Sequence, residues 1–511
     1  MKKRLKVLAV ISCISMLTAS LAGCGSNQEA KESTSANASS QVVEKTESSV
    51  EQQPATEETK QNPESKEDIT LKMFINIKER PDCQLVNQEI SKITQEKFGF
   101  NVEIVYGNNQ DKITLMLASN EQMDIGFDQK ATFVDRARQG AYVDITELVQ
   151  TQTPDLYDTV PEILWEGSKI DGRTYAVPTY KEYAEQWAVL VDRQVIEENN
   201  IDISKIEQLK DVEPILEALK QYPDKAGFEI LVNSANHVYL SSKYNFDDLV
   251  DWFGVNRENP EEIVHYMETE EYRDFVYLMR DWYEKGYIAE DIATRADYNS
   301  YHNSGNTGMF YISYSPYAEN TYNNSYKGDF VTIPVSPTVR SNKSMMGSLL
   351  GIYSKSEYVE ECLQFLELLN TDPDMKNLVA YGIEGKHYNL VDGKVQKVAG
   401  ANDLYKMDNY KCGNMMISYL VEGDPDDKYE QYKSFSEDAV DSPIIGFLPD
   451  TGEITNELAA ISNVVSEYNS LLCVGAVDPD DYLDTMLEEL KASGLDKVKE
   501  ALQKQYDEWK K

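Results

Sequence analysis

Six segments of this chain combine planar side chains or fixed hydrogen-bonding groups in a way that could hold a ligand. Asn76 and Lys78 fall in residues 76–79, and Asp128 and Gln129 in residues 128–130, each segment just after a predicted strand. Residues 179–187 carry two carboxylates, one cation and three aromatics, with Glu182 and Trp187 as the candidates. Asn236 stands in residues 233–237, and Tyr311 and Tyr314 in residues 311–317. His387 belongs to the glycine-containing stretch 381–388, which reads equally as a hinge or cleft loop and as a plain structural turn. Flat aromatic faces beside short Asn, Asp, Gln, Glu and Lys groups suit a ligand with hydroxyls around its rim and C–H groups on its faces. Asp128 and Trp187 rank first because each abuts a strand end. With 33 tyrosines in the chain, most Tyr side chains are ordinary surface or core.

Bond-making chemistry has less to build on. The four histidines (237, 265, 302 and 387) form no HExxH pair, and no GxGxxG or phosphate-binding loop is present. Cys83, Cys362, Cys412 and Cys473 are spaced too irregularly for a zinc site or a dense disulfide framework. No catalytic residue, metal or cofactor is therefore expected. Paired carboxylates occur throughout so acidic a chain, which leaves a glycoside hydrolase open as the alternative class. No count of repeating βα units suggests a barrel, however. The formal charge is −39, which argues against nucleic acid as a partner, because phosphate backbones are repelled.

The elements that must carry these groups read as α/β. Residues 69–75 alternate as a strand, and a helix follows from Pro81 to a stop at Gly99. Residues 100–106 alternate again, 111–118 read as helix and 123–127 as a short buried strand. This βαβαβ rhythm predicts a parallel sheet covered by helices. A second unit has strands at 187–191, 228–232 and 308–312 and helices at 206–219, 247–253 and 270–285. The C-terminal region is helical, with an apolar stripe from Ile454 to Leu472 and a restart at Asp478-Pro479. About 440 residues exceed one core, so two lobes are expected. Lobe 1 is assigned residues 69–183 plus about 350–385; lobe 2 is assigned 184–349 plus about 386–511.

The amino terminus has its own pattern. A basic start (Lys2, Lys3, Arg4, Lys6) precedes an apolar run from Val7 to Leu17, too short to span a bilayer. It ends in Leu21-Ala22-Gly23-Cys24, which resembles the lipobox of bacterial lipoproteins. The resemblance implies a signal peptide at residues 1–23 and a lipid on Cys24. It implies attachment to the cell membrane by that lipid alone, on the extracellular side. Without the four basic residues of the signal the charge becomes −39 − 4 = −43. Residues 25–68 hold no aromatic and no Leu, Ile or Phe, so a disordered tether of about 35 Å is expected.

Several segments together resemble the substrate-binding lipoproteins of bacterial ABC importers. They are Met123-Asp124-Ile125 with Phe127-Asp128, residues 139–146, the Asp-Gly-Arg-Thr-Tyr-Ala-Val-Pro run at 171–178, and Gly308-Met309-Phe310. Residues 446–447, 457–465 and 503–505 resemble the C-terminal domain of oligosaccharide-binding members from Gram-positive bacteria. The resemblance implies a type II periplasmic-binding-protein-like fold with a ligand cleft between two αβ lobes. It also implies capture of a sugar, an oligosaccharide by preference, as a monomer that delivers it to permease subunits, with the ATPase on another chain. A peptide-binding receptor is the alternative within that class.

Overall fold

The computed structural model describes residues 69–107, 115, 122–229, 244–294, 305–326 and 328–511. Strands are numbered in chain order. Lobe 1 is built on a five-stranded sheet in the order β2 (Asn101–Gly107), β1 (Thr70–Asn76), β3 (Ile125–Asp128), β13 (Leu349–Ile352) and β4 (Ala176–Pro178). β1 runs parallel to β2 and β3, while β13 is antiparallel to β3 and β4. Leu71, Met73 and Ile75 on one face of β1 and Phe74 on the other are all fully buried, as expected of a central strand covered on both sides. The helix Cys83–Phe98 buries Val86 and Ile90 and stops at Gly99, whose φ of 84° closes the last turn in the left-handed region.

Lobe 2 carries a four-stranded sheet in the order β11 (Phe330–Pro334), β5 (Gln186–Asp192), β10 (Thr307–Tyr314) and β6 (Ala226–Glu229). β5 is antiparallel to both neighbours, β10 and β11. Beside it β7 (Phe246–Val250), β8 (Phe253–Asn256) and β9 (Asn259–His265) form a separate antiparallel sheet. Residues 247–253, which read as a helix in sequence, are thus a β-hairpin. Val250, Trp252, Phe253 and Val255 are β-branched or aromatic, and cross-strand packing decides for such a stretch. The helix Glu270–Glu284 and the C-terminal helices Thr455–Leu472, Pro479–Ala492 and Leu495–Trp509 stand where the periodicity puts them. Met279, Trp282, Ile461, Met486 and Leu502 from these helices share one interior with β5 and β10.

The lobe boundary differs from the sequence-based one. Tyr405, Met407 and Cys412 pack into the lobe 1 interior with Leu366, Leu369 and Val379, so lobe 1 continues well past residue 385. A hairpin of β14 (Tyr388–Val391) and β15 (Lys394–Lys397) belongs to this continuation. The chain therefore returns to lobe 2 through a third crossing, near residues 438–447.

The three crossings are laced together. Glu185 and Val339 exchange both backbone hydrogen bonds at 2.8 Å, while Val440 N donates to Thr338 O and Ser442 N to Arg340 O, each at 2.9 Å. The last two bonds belong to the pairing of β12 (Val339–Arg340) with β16 (Val440–Asp441). Arg340 adds side-chain bonds to the Asp441 carboxylate (2.6 Å) and to the carbonyls of Ser436 and Glu437. Such a three-strand strap concentrates bending at few residues while each lobe keeps its own core.

Candidate functional site

A cleft of about 1310 Å³ opens between the lobes. Lobe 1 supplies Gln129 and Lys130 from the start of the helix Lys130–Arg138 and Asp135 from further along it, together with Met346 and Gly347. The crossings supply Lys181, Glu182, Glu185, Lys343 and Ser344. Lobe 2 supplies Asp248, Asp251 and Trp252 from the β7–β8 hairpin and Ser313, Tyr314 and Ser315 from the end of β10. The helix Thr455–Leu472 closes the wall with Ser462, Ser466, Asn469 and Ser470.

Asp128 does not line this cleft; it holds the wall up. Its carboxylate is fully buried and accepts bonds from Arg136 Nη1 (2.8 Å), Tyr142 OH (2.7 Å), Gln129 N (2.9 Å) and the Thr132 hydroxyl. Burial works to lower the Arg136 pKa, but the charge and hydrogen bond of Asp128, with Tyr142 and Tyr353 adding to them, together hold the guanidinium above its ordinary value. Burial, with Tyr353 and Asp128 adding to it, pushes the Tyr142 phenol well up. These bonds lock the first turn of the helix, so Gln129 and Lys130 project from a fixed base.

Lys130 reaches across the cleft and donates to the Leu249 carbonyl of lobe 2 at 2.9 Å. Burial lowers its pKa, with Asp248 opposing. Lys343 pairs with Glu185 at 3.1 Å; burial disfavours its charge, and Glu185 more than restores it. Glu182 Oε2 is buried and makes no hydrogen bond among the described residues. Tyr314 lies edge-on to Phe435 with centroids 5.7 Å apart.

Of the residues singled out in sequence, Gln129, Glu182 and Tyr314 come together in the cleft. Trp187 lines a recess of about 70 Å³ that shares Glu185, Asp248 and Lys343 with it. Tyr311 packs against the lobe 2 interior. Asn76 lies outside the cleft walls, with its carbonyl accepting from Lys411 Nζ, and Lys78 is exposed elsewhere on lobe 1. His387 is 2% exposed and away from the cleft. Its Nδ1 accepts from Ile383 N (2.9 Å), which leaves Nε2 to donate to Asp82 (3.0 Å), so both ring nitrogens serve the fold. Asn236 and Cys24 lie outside the described residues.

Sequence reasoning missed Lys130, Lys343, the Asp248–Trp252 stretch and the C-terminal wall. The last had a signal: Ser462, Ser466, Asn469 and Ser470 recur at helical spacing on the flank of the apolar stripe. Among the described residues no group of three or more His, Cys, Asp or Glu is placed to hold a metal ion. No helix among them is long and apolar enough to cross a membrane.

Known proteins share this architecture along nearly its whole length. The chain is similar to the crystal structure of the N-glycan transport solute binding protein NgtS from Streptococcus pneumoniae, with a TM-score of 0.77 and 27% identity. That match covers 86% of this chain and 98% of the other. This is the fold of a solute-binding protein. The TM-scores to NgtS in complex with Man1GlcNAc and with Man5GlcNAc are 0.70 and 0.67, at 26% and 27% identity. A carbohydrate ABC transporter substrate-binding protein from the same organism is 28% identical over 471 residues, which are 89% of this chain and 94% of the relative. The chain is thus a homologue of carbohydrate ABC transporter substrate-binding proteins. A human-milk-oligosaccharide (HMO) binding solute-binding protein of Bifidobacterium longum infantis, at 16% identity and a TM-score of 0.62, shares the fold. Residues 443–511 match a domain of unknown function, DUF3502. That segment includes the helix whose serines line the cleft.

Proposed function

We propose that this chain captures an oligosaccharide in the interlobe cleft and hands it to the permease of an ABC importer by lobe closure. The observation that carries the reading is the cleft itself. Its volume of about 1310 Å³ exceeds the roughly 300–1,000 Å³ usual for a small-molecule site. Its lining mixes hydroxyls, amides and carboxylates with the aromatic faces of Trp252 and Tyr314, the complement of a multi-unit sugar. Glu182 Oε2 offers an acceptor that a hydroxyl donor can satisfy. A ligand touching both lobes favours the shut state by its added contacts there, and the laced crossings permit that motion. No bond need be made or broken, and the named relatives are binding proteins. The NgtS complexes suggest glycans of mannose and N-acetylglucosamine as the first ligands to try. The chain acts as a monomer tethered outside the cell by a lipid on Cys24.

Calorimetric titration of the protein with Man1GlcNAc, Man5GlcNAc, maltotetraose and a set of short peptides tests this. Saturable binding of at least one sugar, with no release of shorter sugars on long incubation, is expected. Binding of peptides alone would move the chain to another receptor class, and steady release of sugar products would make it a hydrolase.

A further inference from the structure

The charges lining the cleft do not balance: three lysines stand against five carboxylates. Two of the lysines are already matched. Lys343 pairs with Glu185 at 3.1 Å. Asp248 and Glu185 act on both Lys343 and Lys130, and Lys130 Nζ is also bonded to the Leu249 carbonyl. The third, Lys181, donates to the backbone carbonyl of Glu182 at 2.8 Å. Left over are the carboxylates of Asp135, Glu182 and Asp251, and among the described residues none of them forms an ion pair. Glu182 Oε2 is buried and accepts no hydrogen bond. Asp251 is exposed to the cleft, yet the walls around it hold its pKa above the ordinary 3.8, and no cation opposes them. The helix start at Gln129 would otherwise attract an anion. It is already answered, because Gln129 N donates to the Asp128 carboxylate (2.9 Å) and Lys130 N to the Met346 carbonyl (3.0 Å).

We infer that the cleft selects uncharged glycans and turns away acidic ones, and that Asp135, Glu182 and Asp251 are the residues that discriminate. Asp135 comes from lobe 1, Glu182 from a crossing and Asp251 from lobe 2, so an acidic ligand between the lobes has uncompensated carboxylates on both sides. Repulsion grows as bulk water is displaced from the cleft, because the effective dielectric falls. A neutral hydroxyl meets the same groups as acceptors and gains charge-assisted hydrogen bonds from them. Selectivity is the difference between these two outcomes. The charge of −39 on the whole chain acts in the same direction outside the cleft, within a screening length of about 8 Å at physiological salt. This inference rests on the oligosaccharide reading of the cleft.

The test uses the full chain and whichever of Man5GlcNAc and maltotetraose the wild type binds. Oxidising the primary alcohols of that sugar gives a uronate, and converting the new acids to primary amides gives an uncharged sugar of nearly the same shape. Calorimetric titration should show the amide bound and the uronate weaker by at least about tenfold. Raising the salt concentration should narrow that gap. In the combined variant Asp135→Asn, Glu182→Gln, Asp251→Asn the gap should shrink several-fold; because the ratio of two affinities is read, any loss common to both ligands cancels. Equal binding of uronate and amide by the wild type would overturn the selectivity and leave the function standing. So would a gap that neither salt nor the combined variant moves. Loss of both derivatives alike would show that size decides and charge does not, which overturns it as well. If neither parent sugar bound the wild type, the functional reading would fall and the selectivity with it.

Discussion

Replacing Asp128 separates a ligand contact from a support. Its carboxylate is buried and paired with Arg136, whose side chain is itself only 12% exposed. Truncation to alanine strands that guanidinium and removes the acceptor for Tyr142 OH, Thr132 and Gln129 N. Breaking a buried ion pair by deleting one partner costs about 3–5 kcal/mol. In a lobe of roughly 150–250 residues each kcal/mol is worth ~2–4 °C of melting temperature, so Asp128→Ala should lower the lobe 1 transition by about 6–20 °C. Asp128→Asn keeps hydrogen-bonding capacity and should lose less. Asp128→Ala combined with Arg136→Met should recover part of the loss, because no uncompensated charge remains. Differential scanning calorimetry reads the transition and titration calorimetry the affinity of the protein that remains folded. A melting temperature within about 2 °C of wild type, together with a tenfold or greater loss of affinity, would refute the argument and return Asp128 to the ligand.

Other consequences are open to direct measurement. Burial works to raise the Asp82 pKa, but hydrogen bonds from His387 and Lys386 more than reverse it and leave it below the ordinary 3.8. The stability this carboxylate supplies should be full above that value and lost as pH falls through the lowered one. Asp82→Asn should therefore cost stability at pH 7, with the gap to wild type narrowing toward pH 3; a gap constant with pH would contradict this. Cys83, Cys362, Cys412 and Cys473 are free and buried, and burial pushes all four thiols up, Cys473 to about 12. None should react with a thiol reagent in the native protein and all four should on denaturation; rapid native labelling would show an opening that the structure lacks. Cys24→Ala should leave an unprocessed, unacylated precursor; lipid-labelled mature protein from that variant would exclude the anchor.

The limits of reading this chain from sequence fall at particular residues. Alternation along residues 69–75 and 100–106 suffices to place β1 and β2: β2 buries every second residue, and in β1 only Phe74 fills in on the second covered face. The end of β3 is equally legible, so Asp128 stands out. Which way its carboxylate turns depends on Arg136 and Tyr142, eight and fourteen residues on, and spacing does not reveal that. His387 fails for the same reason, since its partner Asp82 is 305 residues away. The hairpin at residues 246–256 fails differently: its apolar positions fit a helical stripe about as well as a strand, and tertiary packing decides. The third crossing carries no local signal, because it is defined by pairing with β12 rather than by its own residues.

The C-terminal segment shows how one helix can serve stability and recognition together. Leu458, Ile461, Val465 and Leu472 of the helix Thr455–Leu472 are buried in the lobe 2 interior, while Ser462, Ser466 and Ser470 face the cleft. Asn469 sits on the seam: its Oδ1 accepts from the fully buried Tyr272 hydroxyl at 2.9 Å, and the residue also lines the cleft. Removing residues 443–511 would strip apolar cover from Met279 and Trp282 and take away one wall of the site at once. The matched domain of unknown function is thereby a structural part of lobe 2 rather than an appendage. Changes along its serine stripe alter the cleft without touching the core, because residues three and four apart on a helix share a face while the apolar stripe lies on the adjoining one. Ligand preference can therefore vary through those serines while the apolar stripe stays fixed.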